Sequence, residues 1–228
     1  MKLSVIVPCY NEEKTIRLII NKILNQNYEN KEIIIIDDCS NDDSVEIIKS
    51  FDNKNVKLIM NDKNYGKGYS VRKGISASEG EIILVQDADL EYEPEDYNSL
   101  INPILKGHAD VVFGSRFLGS QEHRVLYFWH KVGNTLLTIL SNVFSNLNLT
   151  DMECGLKAFR AEALKKINLK ENRFGFEPEI TLKISKLNLK IYEVGVRYFG
   201  RTYKEGKKIN WKDGFSAIRC IIKYFFTD

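Results

Sequence analysis

The 228-residue chain is short of several things that would mark a specialised protein class. It has only four cysteines, Cys9, Cys39, Cys154 and Cys220. They are too scattered for zinc spacing and too few for a disulfide scaffold, so they read as free thiols in a reducing compartment. Charge of one sign is also missing: the formal net charge is +2, without the large basic excess of a dedicated nucleic-acid binder. No window offers the run of about 18 apolar residues that a membrane-spanning helix needs. The apolar start, Leu3-Ser4-Val5-Ile6-Val7, is too short for the core of a secretory signal. The expectation is a cytoplasmic protein, soluble or at most peripheral on the cytoplasmic membrane face. Internal repeats, low-complexity tracts and flexible linkers are absent too. Neither Gly-x-Gly-x-x-Gly nor Gly-x-x-x-x-Gly-Lys-Ser/Thr occurs, which counts against a dinucleotide oxidoreductase and a P-loop enzyme.

What is present is an alternation. Leu3–Val7, Ile33–Ile36, Val56–Met60, Ile82–Val85 and Val111–Phe113 are short Val/Ile-rich runs, suited to strands buried on both faces of a parallel sheet. Between them Glu12–Leu24, Asp42–Phe51, Tyr69–Ser78 and Pro94–Leu105 have helical length. The first carries one apolar stripe, Ile16, Ile19, Ile20, Ile23 and Leu24. The pattern predicts an α/β fold built from right-handed βαβ units. After Arg116 the alternation stops. Residues 125–149, Ala161–Ile167, Pro178–Leu187 and Trp211–Phe226 read as helices, and Ile191–Tyr198 as a strand. Residues 1–116 and 117–228 are expected to be two halves of one compact body.

In open α/β sheets ligands bind beyond the carboxyl ends of the strands, and the polar residues collect there. The five strands empty into Pro8-Cys9-Tyr10-Asn11-Glu12, Asp37-Asp38-Cys39-Ser40, Asn64-Tyr65-Gly66-Lys67-Gly68, Asp87-Ala88-Asp89 and Gly114-Ser115-Arg116. Asp87 and Asp89 bracket a small residue at a strand's end, a spacing that turns two carboxylates toward one hard cation, Mg²⁺ or Mn²⁺. Glu91 is a third candidate ligand; Glu93, Glu95 and Asp96 instead read as an acidic helix start. Asp38 is placed to accept hydrogen bonds from a base or ribose, and Asp37 to cap its turn. Tyr10 suits either base stacking or core packing. Lys67, between two glycines, suits a phosphate.

Together these residues resemble the family 2 glycosyltransferases of the GT-A fold, particularly the polyprenyl-phosphate sugar synthases such as dolichol-phosphate mannosyltransferase. The resemblance spans the chain: Val5-Ile6-Val7-Pro8-Cys9-Tyr10-Asn11-Glu12, Ile36-Asp37-Asp38-Cys39-Ser40, Gly66-Lys67-Gly68 and Asp87-Ala88-Asp89-Leu90, then His130 with Gly133-Asn134, Thr150–Arg160, Phe174–Ile180 and Gly200–Ile209. It implies a nucleoside site at Pro8, Tyr10, Glu12 and Asp38, and a metal and diphosphate site at Asp87, Asp89 and Glu91.

The implied reaction is an inverting, metal-dependent transfer of a hexose from a GDP-mannose- or UDP-glucose-type donor to a polyprenyl or dolichyl phosphate. Arg201 and Lys207 or Lys208 are expected to add positive charge near the phosphates. A lipid phosphate is already anionic and needs only cationic positioning, for which Arg116 and Arg124 are candidates. A sugar hydroxyl, the alternative acceptor, would need a carboxylate base. Asp151 and Glu153 are the candidates, with Glu177 and Glu179 behind them. Glu153 and Glu177 also suit orientation of an acceptor loop, and His130 suits either acceptor placement or an inter-helix hydrogen bond. Rival readings are a nucleotidyltransferase, which would show a Gly-rich basic loop near its start, and a non-catalytic partner of the same fold. A homo-oligomer is compatible with the sequence. The apolar residues of 125–149 and of the last helix suit either a membrane surface or core covering.

Overall fold

The computed structural model describes residues 1–119, 122–125, 127–202, 205–206 and 211–227, the side chains of 211 and 212 excepted. Four parallel strands form one side of the sheet: β1 (Leu3–Cys9), β2 (Lys31–Asp37), β3 (Val56–Met60) and β4 (Ile82–Val85). Beyond β4 come β6 (Lys157–Arg160), β5 (Val111–Ser115) and β7 (Ile191–Gly195), giving the order β3-β2-β1-β4-β6-β5-β7. β6 runs antiparallel to both its neighbours, while β7 is parallel to β5. The mostly parallel α/β architecture expected from the alternation is therefore present. β6 is the strand the sequence pattern does not predict, because Lys-Ala-Phe-Arg offers neither an apolar run nor a β-branched residue.

The period-2 alternation of strand side chains sorts the core into two layers. Ile33 and Ile35 of β2 enter one hydrophobic cluster with α1 (Ile16–Leu24), α2 (Ser44–Lys49) and α4 (Tyr97–Leu105). Ile34 and Ile36 enter the other, with α3 (Lys67–Ala77), α6 (Ala161–Leu164) and α7 (Phe176–Ser185). Burial on both faces explains why these strands read as unbroken apolar runs. The two remaining helices, α5 (Phe128–Ser145) and α8 (Trp211–Phe226), pack against each other and against α7.

α1 begins at Ile16, not at the predicted Glu12, because Glu12–Thr15 form a turn. The Glu12 carbonyl accepts the Thr15 and Ile16 N–H groups, and its carboxylate accepts the Thr15 hydroxyl at 2.8 Å. The turn is anchored across the sheet by Glu12 N–H donating to Ser44 Oγ at 2.8 Å. Left-handed backbone at Asn11 (φ 51°), Cys39 (φ 65°) and Leu90 (φ 61°) bends the chain sharply after β1, β2 and β4. Leu has no side-chain hydrogen bond to offset that geometry, which costs roughly 1–2 kcal/mol. The three bends lie beyond the carboxyl ends of these parallel strands.

At the opposite ends of β1 and β2, Glu32 is almost completely buried. Its carboxylate accepts Ser4 Oγ (2.6 Å), Glu79 N–H (2.9 Å), Lys57 Nζ (2.8 Å) and Lys2 Nζ (3.2 Å). Burial alone would raise its pKa, but these donors outweigh it and lower the group from 4.5 to about 2. A depressed carboxylate lends stability above its unfolded pKa and loses it as pH falls toward the folded value. Glu32→Gln should therefore cost about 2 kcal/mol at neutral pH. The gap to the unsubstituted protein should narrow as pH falls from about 5 to about 2, as urea unfolding at several pH values will read.

Candidate active site

A cleft of about 1120 Å³ opens beyond the carboxyl ends of β1, β2 and β4. It is lined by Pro8, Tyr10, Glu12, Asp38, Lys67, Asp87, Asp89, Glu91, Arg116, His130, Glu153, Glu177 and Arg201. The site residues expected from the sequence are thus brought to one cavity, apart from Asp151, Lys207, Lys208 and Glu179; Glu179 is fully buried and accepts the Lys170 and Glu171 N–H groups, both at 2.7 Å, and Lys183 Nζ at 2.9 Å. Lys207 and Lys208 lie outside the described residues.

The floor concentrates negative charge. Arg201 reaches Asp89 Oδ2 at 2.9 Å and both oxygens of Glu12 at 3.3 Å, tying the β1 turn to the tip of β4. Lys67 Nζ bridges Asp87 Oδ1 (2.8 Å) and Glu177 Oε1 (2.9 Å). Burial would lower the lysine's pKa, but Asp87 and Glu177 raise it, so it stays charged. Asp89 is pushed up to about 7, first by burial and then by the charges of Asp87 and Glu91, with Arg201 only partly opposing. This is a carboxylate cluster short of cations. Among the described residues no group of three His, Cys, Asp or Glu is gathered closely enough to hold a metal by itself. A pair of carboxylates with unbalanced negative charge fits a hard divalent cation that takes its other oxygens from phosphate and water.

Two expected donors are already engaged. Glu91, a candidate third ligand, accepts Arg201 N–H at 2.7 Å and Tyr198 Oη at 3.0 Å, so it clamps the 198–201 segment over β4. Asp38 accepts Asn61 Nδ2 (2.8 Å), Tyr65 N–H (3.0 Å) and Gly66 N–H (2.6 Å), and so shapes the loop before α3. At Gly66 φ is +102°, a conformation that suits glycine alone, and a Cβ there would meet the Asn172 carbonyl at 2.6 Å. Asp37 caps its turn as expected, accepting Ser40 Oγ and N–H.

The expected base Asp151 does not face the cleft. It is fully buried, and Arg116 grips both its oxygens, at 2.6 and 2.7 Å. Asn134 Nδ2 adds a third bond at 3.0 Å. Burial would raise Asp151, yet Arg116 outweighs it and lowers the pKa, which is the wrong direction for a base. Arg116, expected to position the acceptor, lines the cleft but spends its guanidinium on this pair and stacks over Tyr198 at 5.1 Å. His130 is exposed at the mouth, with its ring 5.0 Å from that of Tyr127.

Residues 151–155 form a loop held at nearly every backbone group. Met152 N–H donates to Thr138 Oγ1 (3.2 Å), and Gly155 N–H to Tyr92 Oη (3.2 Å). The fully buried Lys157 donates to the Met152 and Cys154 carbonyls. Gly155 sits so close to Asp87 that a Cβ would lie 2.2 Å from Oδ2. Glu153 projects from this loop, and its buried Oε1 has no hydrogen-bond partner among the described residues. Burial, then Glu177, pushes its pKa up to about 7 against Lys157 and Arg116. The sequence marks Asn134 and Lys157 only as members of the Gly133-Asn134 and Thr150–Arg160 stretches, and it carries no signal for the contacts of Tyr92 and Tyr198.

Comparison with known proteins agrees with this geometry. The model of "Glycosyl transferase family 2" matches residues 4–168. The chain is 30% identical over 229 residues to the UDP-N-acetylglucosamine–dolichyl-phosphate N-acetylglucosaminyltransferase of Methanococcus voltae, covering 92% of this chain and 90% of that one. It is 32% identical over 234 residues to the dolichyl-phosphate beta-glucosyltransferase of Dictyostelium discoideum, covering 94% and 70%. Among solved structures, glucosyl-3-phosphoglycerate synthase from Mycobacterium tuberculosis, crystallised with Mn²⁺, UDP and glucosyl-3-phosphoglycerate, superposes with a TM-score of 0.78. It shares 19% identity, over 100% of this chain and 81% of that one, and establishes the GT-A fold.

If Asp151 is a structural counter-ion, Asp151→Asn should destabilise the protein by about 3 kcal/mol, because a buried guanidinium loses its charge partner. Chemical unfolding measures this. An unchanged midpoint would return Asp151 to the list of reacting groups.

Proposed function

This chain belongs to the family 2 glycosyltransferases, and on that premise we propose that it transfers a hexose from a nucleoside-diphosphate sugar to a polyprenyl phosphate. The observation that carries the proposal is the division of the cleft. Its floor is a carboxylate cluster at the strand tips, and its outer wall is apolar, with Phe128, Trp129, Leu136, Phe215 and Ile218. A diphosphate with its cation suits the floor, and a lipid-linked acceptor suits the wall. The names of the Methanococcus and Dictyostelium relatives support the same acceptor class.

In this reading residues 1–116 bind the donor and 117–228 present the acceptor. Pro8, Tyr10, Glu12 and Asp38 border the nucleoside. Asp87 and Asp89 would hold Mg²⁺ or Mn²⁺, which when bound supplies positive charge against the departing diphosphate. The Mn²⁺ and UDP in the Mycobacterium structure support this assignment by fold. Lys67 keeps Asp87 aimed by fixing it to Glu177 on α7. Arg201, drawn off Glu12 and Asp89 once those charges are met, contributes a second cation beside the phosphates.

The acceptor phosphate is its own nucleophile and reaches the anomeric carbon from the face opposite the leaving group, so the product is inverted. No base is then required. Glu153, poised near neutrality, donates or accepts a hydrogen bond at the acceptor. Its open Oε1 also supports a second reading, in which a carbohydrate hydroxyl is the acceptor and Glu153 takes its proton.

Asp89→Ala should abolish transfer without lowering the unfolding midpoint, since it removes a half-buried carboxylate crowded by the charges of Asp87 and Glu91. Transfer is measured with labelled GDP- and UDP-sugars and a short polyprenyl phosphate; turnover at the unsubstituted rate would exclude the mechanism. Glu153→Gln separates the two acceptors. A phosphate acceptor predicts a loss of less than about tenfold, whereas base catalysis predicts about 10²- to 10⁴-fold.

A further inference from the structure

α5 is apolar on both sides: Leu137, Leu140 and Phe144 pack inward beside its buried hydroxyls, and a second apolar stripe is left outside. Its buried positions are Thr138 (3% exposed), Ser141 (0%) and Ser145 (8%). Its solvent side shows Trp129 (76% exposed), Leu136 (62%), Ile139 (53%) and Val143 (72%). These four recur at helical spacing and make one stripe. The inner polar face has its own work, since Thr138 accepts Met152 N–H and Asn142 bonds both the N–H and the carbonyl of Leu149. α8 lies alongside, joined through the Phe144–Phe225 ring contact at 5.0 Å, and exposes Phe215, Ile218, Ile222 and Phe226. Two adjacent helices thus present apolar stripes to the outside, where single scattered apolar residues are the norm.

We propose that this α5–α8 face docks flat on an anionic lipid bilayer, with the mouth of the cleft turned to the membrane. Two observations select lipid over another macromolecule. The charge is complementary: α5 carries no acidic residue, and the two helices together hold Lys131, Lys212, Arg219 and Lys223 against Asp213 and against Glu171, which Arg219 and Lys223 share, so the face keeps a net positive charge. The apolar face is also continuous with the cleft, because Trp129, Leu136, Phe215 and Ile218 belong to both. A protein partner or a second copy seated here would block the entrance, whereas a bilayer delivers an acceptor through it. Among the described residues no helix is long and apolar enough to cross a membrane, and an α5 of 18 residues lying in the headgroup layer meets the geometry of an interfacial helix. The proposal deepens the lipid-phosphate reading and rests on it for the orientation of the cleft.

The test is co-sedimentation of the full chain with vesicles of phosphatidylcholine alone and with added phosphatidylglycerol, at low and high salt. The double variant Ile139→Glu/Val143→Glu, outside the cleft lining, is compared with the unsubstituted protein. The expected result is binding that needs phosphatidylglycerol, weakens with salt, and falls at least about tenfold in the variant. The variant's melting temperature and its turnover of a short, water-soluble polyprenyl phosphate should not change. Absence of vesicle binding at low salt, equal binding by the variant, or a solution dimer that the variant splits would each overturn the docking face. Vesicle binding with the expected profile but no transfer to any lipid phosphate would leave the face standing and remove the acceptor reading.

Discussion

Too much negative charge in too little water is the constraint around which this protein is arranged. Glu12, Asp87, Asp89 and Glu91 converge at the tips of two neighbouring strands, and Glu177 approaches from α7. Lys67 and Arg201 are the cations that hold them there. Neither lysine nor arginine neutralises the group completely, which is why burial can push Asp89 up to about 7. A site built this way is preorganised for added positive charge, and it depends on the first and last thirds of the chain meeting. Arg201 reaches back to Glu12 across 189 residues of sequence.

Much of this is legible in the amino-acid sequence. Strands covered on both faces write themselves as Val/Ile runs, so Ile33–Ile36 could not be mistaken for anything half-exposed. Polar residues at the ends of such runs then mark the ligand-binding edge. What stayed hidden was the sign of each interaction. Asp38 and Glu91 look like ligands for something outside the chain, yet their oxygens are filled by Asn61, Tyr65, Gly66, Tyr198 and Arg201. A sequence gives the position of a carboxylate, but its partners come from other elements, more than 100 residues away for Glu91 and Arg201.

The second half was harder to read because tertiary context overrides local preference there. β6 is a strand only because β4 and β5 leave a gap that needs two ladders filled. Asp151 and Glu153 are two residues apart and of one chemistry, but one is locked against Arg116 and the other is left open. α5 misleads in a different way. Its apolar content is obvious, but Leu137, Leu140 and Phe144 turn inward while Leu136, Ile139 and Val143 face out, and Thr138 and Asn142 tie the inward side to Leu149 and Met152.

Gly155 fits the 151–155 loop directly against the tip of β4. Its missing side chain is the space occupied by the Asp87 carboxylate, so the loop bearing Glu153 and the tip of β4 fit as a key fits a lock. The 151–155 loop and the tip of β4 therefore cannot be exchanged separately between related enzymes. A chimera that imports a foreign 151–155 loop must bring a glycine in this register, or import the matching strand tip with it.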